Sequence, residues 1–143
     1  MARYHKVLVL LDLSDASEQV LLAARDLAAY SQASIIALHV VEFVPVEPLG
    51  ESLIPTMQIE EDLLVRSRER LTQLAARLGL KDVDCRVEMG NTQAEILRVA
   101  EEEHADLIVL GSRERHGLAL LVNFTDDRVL HAAHCDVLAV RLI

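Results

Sequence analysis

The chain has 143 residues, of which 52% are hydrophobic, 3% aromatic and 26% charged, with a formal net charge of −9. That length suits one domain, which buries roughly 70% of its unfolded surface and needs no disulfide or metal to hold it. The apolar share excludes disorder, and a pI near 5.0 excludes the basic footprint of a nucleic-acid or anionic-membrane binder.

Val7–Leu11 (VLVLL) is apolar at every position, which predicts a strand covered on both faces of a parallel sheet. Ser14 follows as a candidate N-cap, with Asp15 and Glu18 adding negative charge to a first helical turn. Val20, Leu21, Ala24, Leu27 and Ala28 then recur at helical spacing to about Tyr30. Ser34–Val41 (SIIALHVV) reads as a second buried strand, and His39 within it as a satisfied core histidine. Residues 42–56 hold all three prolines (Pro45, Pro48, Pro55) and Gly50, the one long irregular connection and a candidate contact surface.

A long amphipathic helix is predicted from Gln58 to Leu78, with Gly79 at its C′ position. Val83–Met89 alternates, so it reads as a strand with one poorly covered face, fit for a sheet edge. Gly90-Asn91 turns into a helix reaching His104, and Asp106–Leu110 (DLIVL) is a fourth strand ending at Gly111-Ser112. A last helix runs from about Asn123 to Ala133, and Val137–Ile143 (VLAVRLI) is a fifth strand. The alternation predicts a single α/β domain: a five-stranded, parallel, doubly wound sheet with helices on both faces. In such a sheet ligands sit at the carboxyl ends of the strands where the winding reverses. If the first and fourth strands are neighbours, Asp12 and Gly111-Ser112 face one crevice.

No run of the chain is long enough for a membrane span or a signal segment, which predicts a cytoplasmic protein without a membrane partner. Cys85 and Cys135 lack metal-type spacing and read as reduced, buried and apolar. His131, His134 and Cys135 cluster at the end of the last helix, where histidine suits the helix dipole and no fourth ligand accompanies it. His104 and His116 read as surface or capping residues, and Glu101-Glu102-Glu103 as a solvated face. No nucleophile motif such as G-x-S-x-G is present, so no catalytic residue is expected. The last strand is apolar on both sides; at a sheet edge its unpaired backbone invites a second copy. Residues Val137, Leu138, Ala139, Val140, Arg141 and Leu142 are the candidate interface.

Taken together, VLVLLDLS at the start, LHVVE in and after the second strand, the stretch Gly90–Ile96, DLIVLGSR and CDVLAV resemble the universal stress protein family over essentially the whole chain. The resemblance implies a five-stranded sandwich of the adenine nucleotide alpha hydrolase-like or flavodoxin-like kind, usually paired as a homodimer through the last strand. Members that bind ATP share G-x₂-G-x₉-G-[ST] after the fourth strand. Here Gly111 and Thr125 match, but Glu114 and Phe124 replace two of the glycines, as in A-type members that lack the complete motif. A phosphate cradle needs bare backbone N–H groups; Glu114 brings a carboxylate and Phe124 a ring. Gly117 does not restore the register, since ten residues later stands Asp127.

Asp12 and Val40 match positions that contact adenine in the binders. With Gly111, Ser112, Arg113 and Thr125 they form a vestigial or weak nucleotide crevice, where Arg113 and Arg115 attract an anion weakly. The expectation is therefore a non-enzymatic, homodimeric stress-response protein with no cofactor. The alternative is an ATP-binding sensor or slow ATPase, and a heterodimer with a paralogue is a further pairing open to the last strand.

Overall fold

The computed structural model describes residues 3–42, 56–113 and 125–142. In chain order the elements are β1 (Lys6–Leu10), α1 (Ser17–Ser31), β2 (Ser34–Val41), α2 (Thr56–Arg77), β3 (Asp84–Met89), α3 (Thr92–Glu102), β4 (Leu107–Arg113), α4 (Thr125–Ala132) and β5 (Asp136–Leu142). The strands form one sheet in the order β3-β2-β1-β4-β5, parallel at every junction. This is the doubly wound arrangement that the alternating strands and helices predict: the chain winds outward from β1 to β3, then returns past β1 to lay down β4 and β5.

Two aliphatic cores flank the sheet. Val7, Val9, Leu107 and Val109 face α1 and α2, meeting Val20, Leu21, Ala24, Leu71 and Leu74. Leu8, Ile36, Leu38, Ile108 and Leu110 face the other way onto Ile96, Val99 and Ala100 of α3 and Val129 of α4. Strands apolar at successive positions therefore serve two layers of helices, which is why β1 and β4 read as unbroken apolar runs.

The element ends differ from the sequence reading where tertiary contacts decide them. α1 starts at Ser17, with Ala16 rather than Ser14 as its N-cap and no side-chain cap bond. Ser14 belongs to the preceding turn: its N–H donates to Asp12 Oδ1 at 2.9 Å, and its carbonyl accepts from Ser17 N at 3.0 Å. β4 runs to Arg113 instead of stopping at Leu110, because Val140, Arg141 and Leu142 of β5 pair with Gly111, Ser112 and Arg113. Those three residues are strand, not the start of a solvated loop. At the far end of α2, Gly79 has φ +73° and Leu80 N–H reaches back to Ala75 O at 2.9 Å, the left-handed stop expected of a C′ glycine.

β5 lies at the edge of the sheet, and its faces are incompletely covered: Val137, Val140 and Leu142 are half-buried, whereas Leu138, Ala139 and Arg141 are exposed. The connection at 43–55 lies outside the described residues, as do Glu114, Arg115, His116, Gly117 and Phe124.

Candidate functional site

The junction between β1 and β4 is the place where the winding reverses, and the register brings the expected residues to one level. Three positions beyond the pair Val9–Val109 stand Asp12 and Ser112, and two beyond Leu10–Leu38 stands Asp12 beside Val40. Asp12, Val40, Gly111 and Ser112 thus share the carboxyl margin of the sheet. Arg113 ends β4 and Thr125 begins α4.

What the side chains do there is partly structural. Asp12 Oδ1 accepts from Ser14 N at 2.9 Å and from the hydroxyl of buried Ser17 at 3.1 Å, so one carboxylate oxygen holds the turn into α1. Val40 is buried among Leu38, Ile96 and their neighbours on the α3 side. Gly111 has a packing reason to be glycine: a Cβ there would stand 2.8 Å from Leu142 Cδ1 and 3.1 Å from Val20 Cγ2. Its φ does not require glycine, but a side chain there would have to push the Leu142 and Val20 side chains aside.

Several residues at this margin escape sequence reading. His39 Nδ1 lies 2.7 Å from the carbonyl oxygen of Leu11, taking the place of a backbone partner as β1 leaves the sheet. One turn residue later, Leu13 has φ +60° and its carbonyl accepts from Arg70 Nη2 at 2.8 Å. β2 and α2 therefore grip the two carbonyls that flank Asp12, and the non-glycine left-handed turn persists because it is held from both sides. Glu42, just past β2, accepts from Thr92 N at 2.8 Å and Thr92 Oγ1 at 2.6 Å. Its carboxylate sits on the N-terminus of α3, and these bonds hold its pKa below the usual glutamate range. The LHVVE string contains both His39 and Glu42, but only the pairing of β1 with β2 and the return of α3 assign their partners.

A polar groove of about 430 Å³ opens beside the turn, lined by Ser14, Asp15, Glu18, Arg70, Gln73 and Arg77 among others. Its lining includes neither Asp12 nor Gly111. A larger groove of about 520 Å³ lies between α3 and α4 and includes His104, His134 and Cys135. No three His, Cys, Asp or Glu side chains among the described residues are grouped to hold a metal ion. Both cysteines are free and half-buried rather than buried, and burial raises their thiol pKa values. No helix among the described residues is long and apolar enough to cross a membrane.

Comparison with known proteins supplies the family. The model of the universal stress protein family matches residues 3–141. Universal stress protein A homolog 2 of Coxiella burnetii is 34% identical, covering 99% of this chain and 98% of that protein. Homolog 1 from the same organism is 33% identical over 96% of each. Among solved structures, the universal stress protein UspA from Lactobacillus plantarum superposes with a TM-score of 0.71 at 25% identity, covering 99% of this chain and 100% of its own. A universal stress protein in complex with cAMP superposes with a TM-score of 0.67 at 23% identity, covering 98% of each chain. The whole described architecture and the sequence agree: this chain belongs to the universal stress protein family.

Proposed function

We propose that the chain is a non-enzymatic, cytoplasmic stress-response protein that works as a homodimer joined through β5 and has no ATP requirement. The observation that carries the pairing is the state of β5. Among the described residues it has a strand neighbour on one side only, and Leu138 is 36% exposed on its α1 face. An unpaired edge with an exposed leucine is a template for strand addition, and two-fold symmetry gives antiparallel pairing of β5 with its own copy. Val137, Ala139 and Arg141 then line one face of the junction, and Leu138, Val140 and Leu142 the other.

The absence of an ATP requirement rests on the glycine positions. Glu114 and Phe124 stand where a phosphate cradle needs bare backbone. The surviving Gly111 is accounted for by Leu142 and Val20. Sedimentation of the full chain across a concentration series tests the pairing. The expected result is a dimer that Leu138→Asp converts to a folded monomer. A monomeric wild type, or a Leu138→Asp chain that stays dimeric, contradicts it; pairing only with a paralogous chain would replace the homodimer by a heterodimer.

The second reading is an adenine-nucleotide sensor or slow ATPase that uses the crevice at Asp12, Val40, Gly111, Ser112, Arg113 and Thr125. Two observations favour it: the meeting of β1 and β4 at the switch point, and the cAMP complex of a structural relative. Calorimetric titration with ATP and with cAMP, with and without Mg²⁺, separates the two readings. Heat of binding saturating at one nucleotide per chain would establish the sensor, and none is expected. With no Trp and two Tyr in the chain, co-purified nucleotide would also dominate its ultraviolet spectrum.

A further inference from the structure

The opposite edge of the sheet, β3, carries charge where a strand under a helix ordinarily carries apolar side chains. Its register with β2 puts Asp84, Arg86 and Glu88 on the α3 face, level with Ile36, Leu38 and Val40. Cys85, Val87 and Met89 lie on the α2 face. Asp84 is exposed, whereas Arg86 and Glu88 are engaged within their own chain. Arg86 donates to Glu103 Oε1 and Glu102 Oε1, each at 2.9 Å, and its Nε lies 3.5 Å from Glu88. Arg98 of α3 donates to Glu88, Glu95 and Glu102, and Lys6 Nζ stands 3.5 Å from Glu103. Arg86 and Glu88 are only 20% and 26% exposed.

We propose that this network closes the β3 edge to strand addition by a second copy of the chain. Inward-pointing charges on an edge strand are costly to cover, because an added strand removes their remaining water. Even in the antiparallel register centred on Val87, where Arg86 would face Glu88 of a second copy, both groups already hold their own-chain partners. Pairing would desolvate them without supplying a partner they lack. Stripped of that network, β3 is a half-buried strand with an apolar face, Val87 at its middle and an unpaired row of N–H and C=O groups. The network therefore limits self-association through sheet edges to β5. The closure of β3 stands apart from that reading, and only the second half of this statement rests on it.

Sedimentation of the full chain carrying Arg86→Thr and Glu88→Thr tests the proposal, with circular dichroism as the control for folding. Threonine keeps the strand preference while removing both charges. The weight-average mass should at least double relative to wild type and rise with concentration. Adding Leu138→Asp should then hold it at two copies. A folded double variant with the wild-type mass at every concentration overturns the proposal.

If that variant does not fold, Arg98→Ala with Glu102→Gln and Glu103→Gln leaves β3 intact and strips Arg86 and Glu88 of their α3 partners, leaving only their mutual 3.5 Å contact and the capacity to meet their opposites on a second copy. Its mass should likewise rise above wild type, and an unchanged mass again overturns the proposal. A monomeric wild type whose β3 variants dimerise, with Leu138→Asp making no difference, would sink the β5 reading and keep this one. A dimeric wild type whose variants stay dimeric would do the reverse.

Discussion

The two margins of the sheet are built in opposite ways. β3 carries Arg86 and Glu88 inward, tied to α3 by side chains that hold one another at hydrogen-bond distance. On β5 the ties are near the two ends: Asp136 accepts from Tyr4 Oη at 2.8 Å and Arg3 Nη2 at 3.1 Å, and the Arg141 carbonyl accepts from Gln19 Nε2 at 3.3 Å. Between them come exposed Leu138 and Ala139. Among the described residues neither margin has a further strand beside it, so the difference lies in what a newcomer would have to cover. At β3 it would cover charge, and at β5 hydrocarbon. On the proposed reading, two or three side chains decide whether an edge takes a partner, while the strand geometry stays the same.

The comparison can be broken most forcefully at β5. Leu138→Asp places a carboxylate at the centre of the proposed junction and should abolish the dimer in sedimentation while leaving the circular dichroism unchanged. Gly111→Val sharpens it next, because Gly111 lies in β4 opposite Val140 of β5, and the Leu142 side chain, two residues on, leans over it. The added side chain must displace Leu142 and Val20, at a cost of about 1–3 kcal/mol in urea unfolding. A neutral Gly111→Val would mean that packing does not account for this glycine and would return weight to the nucleotide reading.

At β3 the effects are smaller. Arg98→Ala removes three carboxylate contacts from a partly exposed network and should cost about 1 kcal/mol, shrinking as salt is raised. Smallest is Glu42→Gln, at about 0.3–1 kcal/mol, since this carboxylate is exposed and acts on one helix terminus. The sign follows from its lowered pKa: Glu42 stabilises the fold above the ordinary glutamate range, and the contribution is lost as pH falls through the folded-state value. The variant should therefore show a flatter acid limb in its stability–pH profile, with little difference from wild type once Glu42 of the wild type is protonated in both the folded and the unfolded state.

The contrast between the edges was half legible in the sequence. Alternation in VDCRVEM marks β3 as a strand with one charged face and so as an edge. VLAVRLI reads as apolar on both sides and as an interface only if it lies at an edge; how much of it stays exposed depends on how far α1 and α4 reach across β5, and no local pattern encodes that reach. The same holds at the candidate site. Asp12 and Gly111-Ser112 are predictable partners once the strands alternate with helices, and the register brings them level. The grip of His39 on Leu11 and of Arg70 on Leu13 is not predictable, since it joins β2 and α2 to a turn that is distant in sequence from Arg70. Ser14 fails as a cap for a local reason: its hydroxyl accepts from Ala16 N at 3.3 Å, inside the turn and before the first helical residue, Ser17. Gly111, which the glycine motif presents as a remnant of phosphate binding, has its reason thirty-one positions away in Leu142.

Amide hydrogen exchange, resolved along β3 and β5 of the wild-type chain at high and low protein concentration, tests the central claim most directly. Outward-facing amides of β5 should be protected at high concentration and lose that protection on dilution, while those of β3 exchange quickly at both. Protection appearing on β3 instead, or β5 amides that exchange quickly at every concentration, would contradict the account.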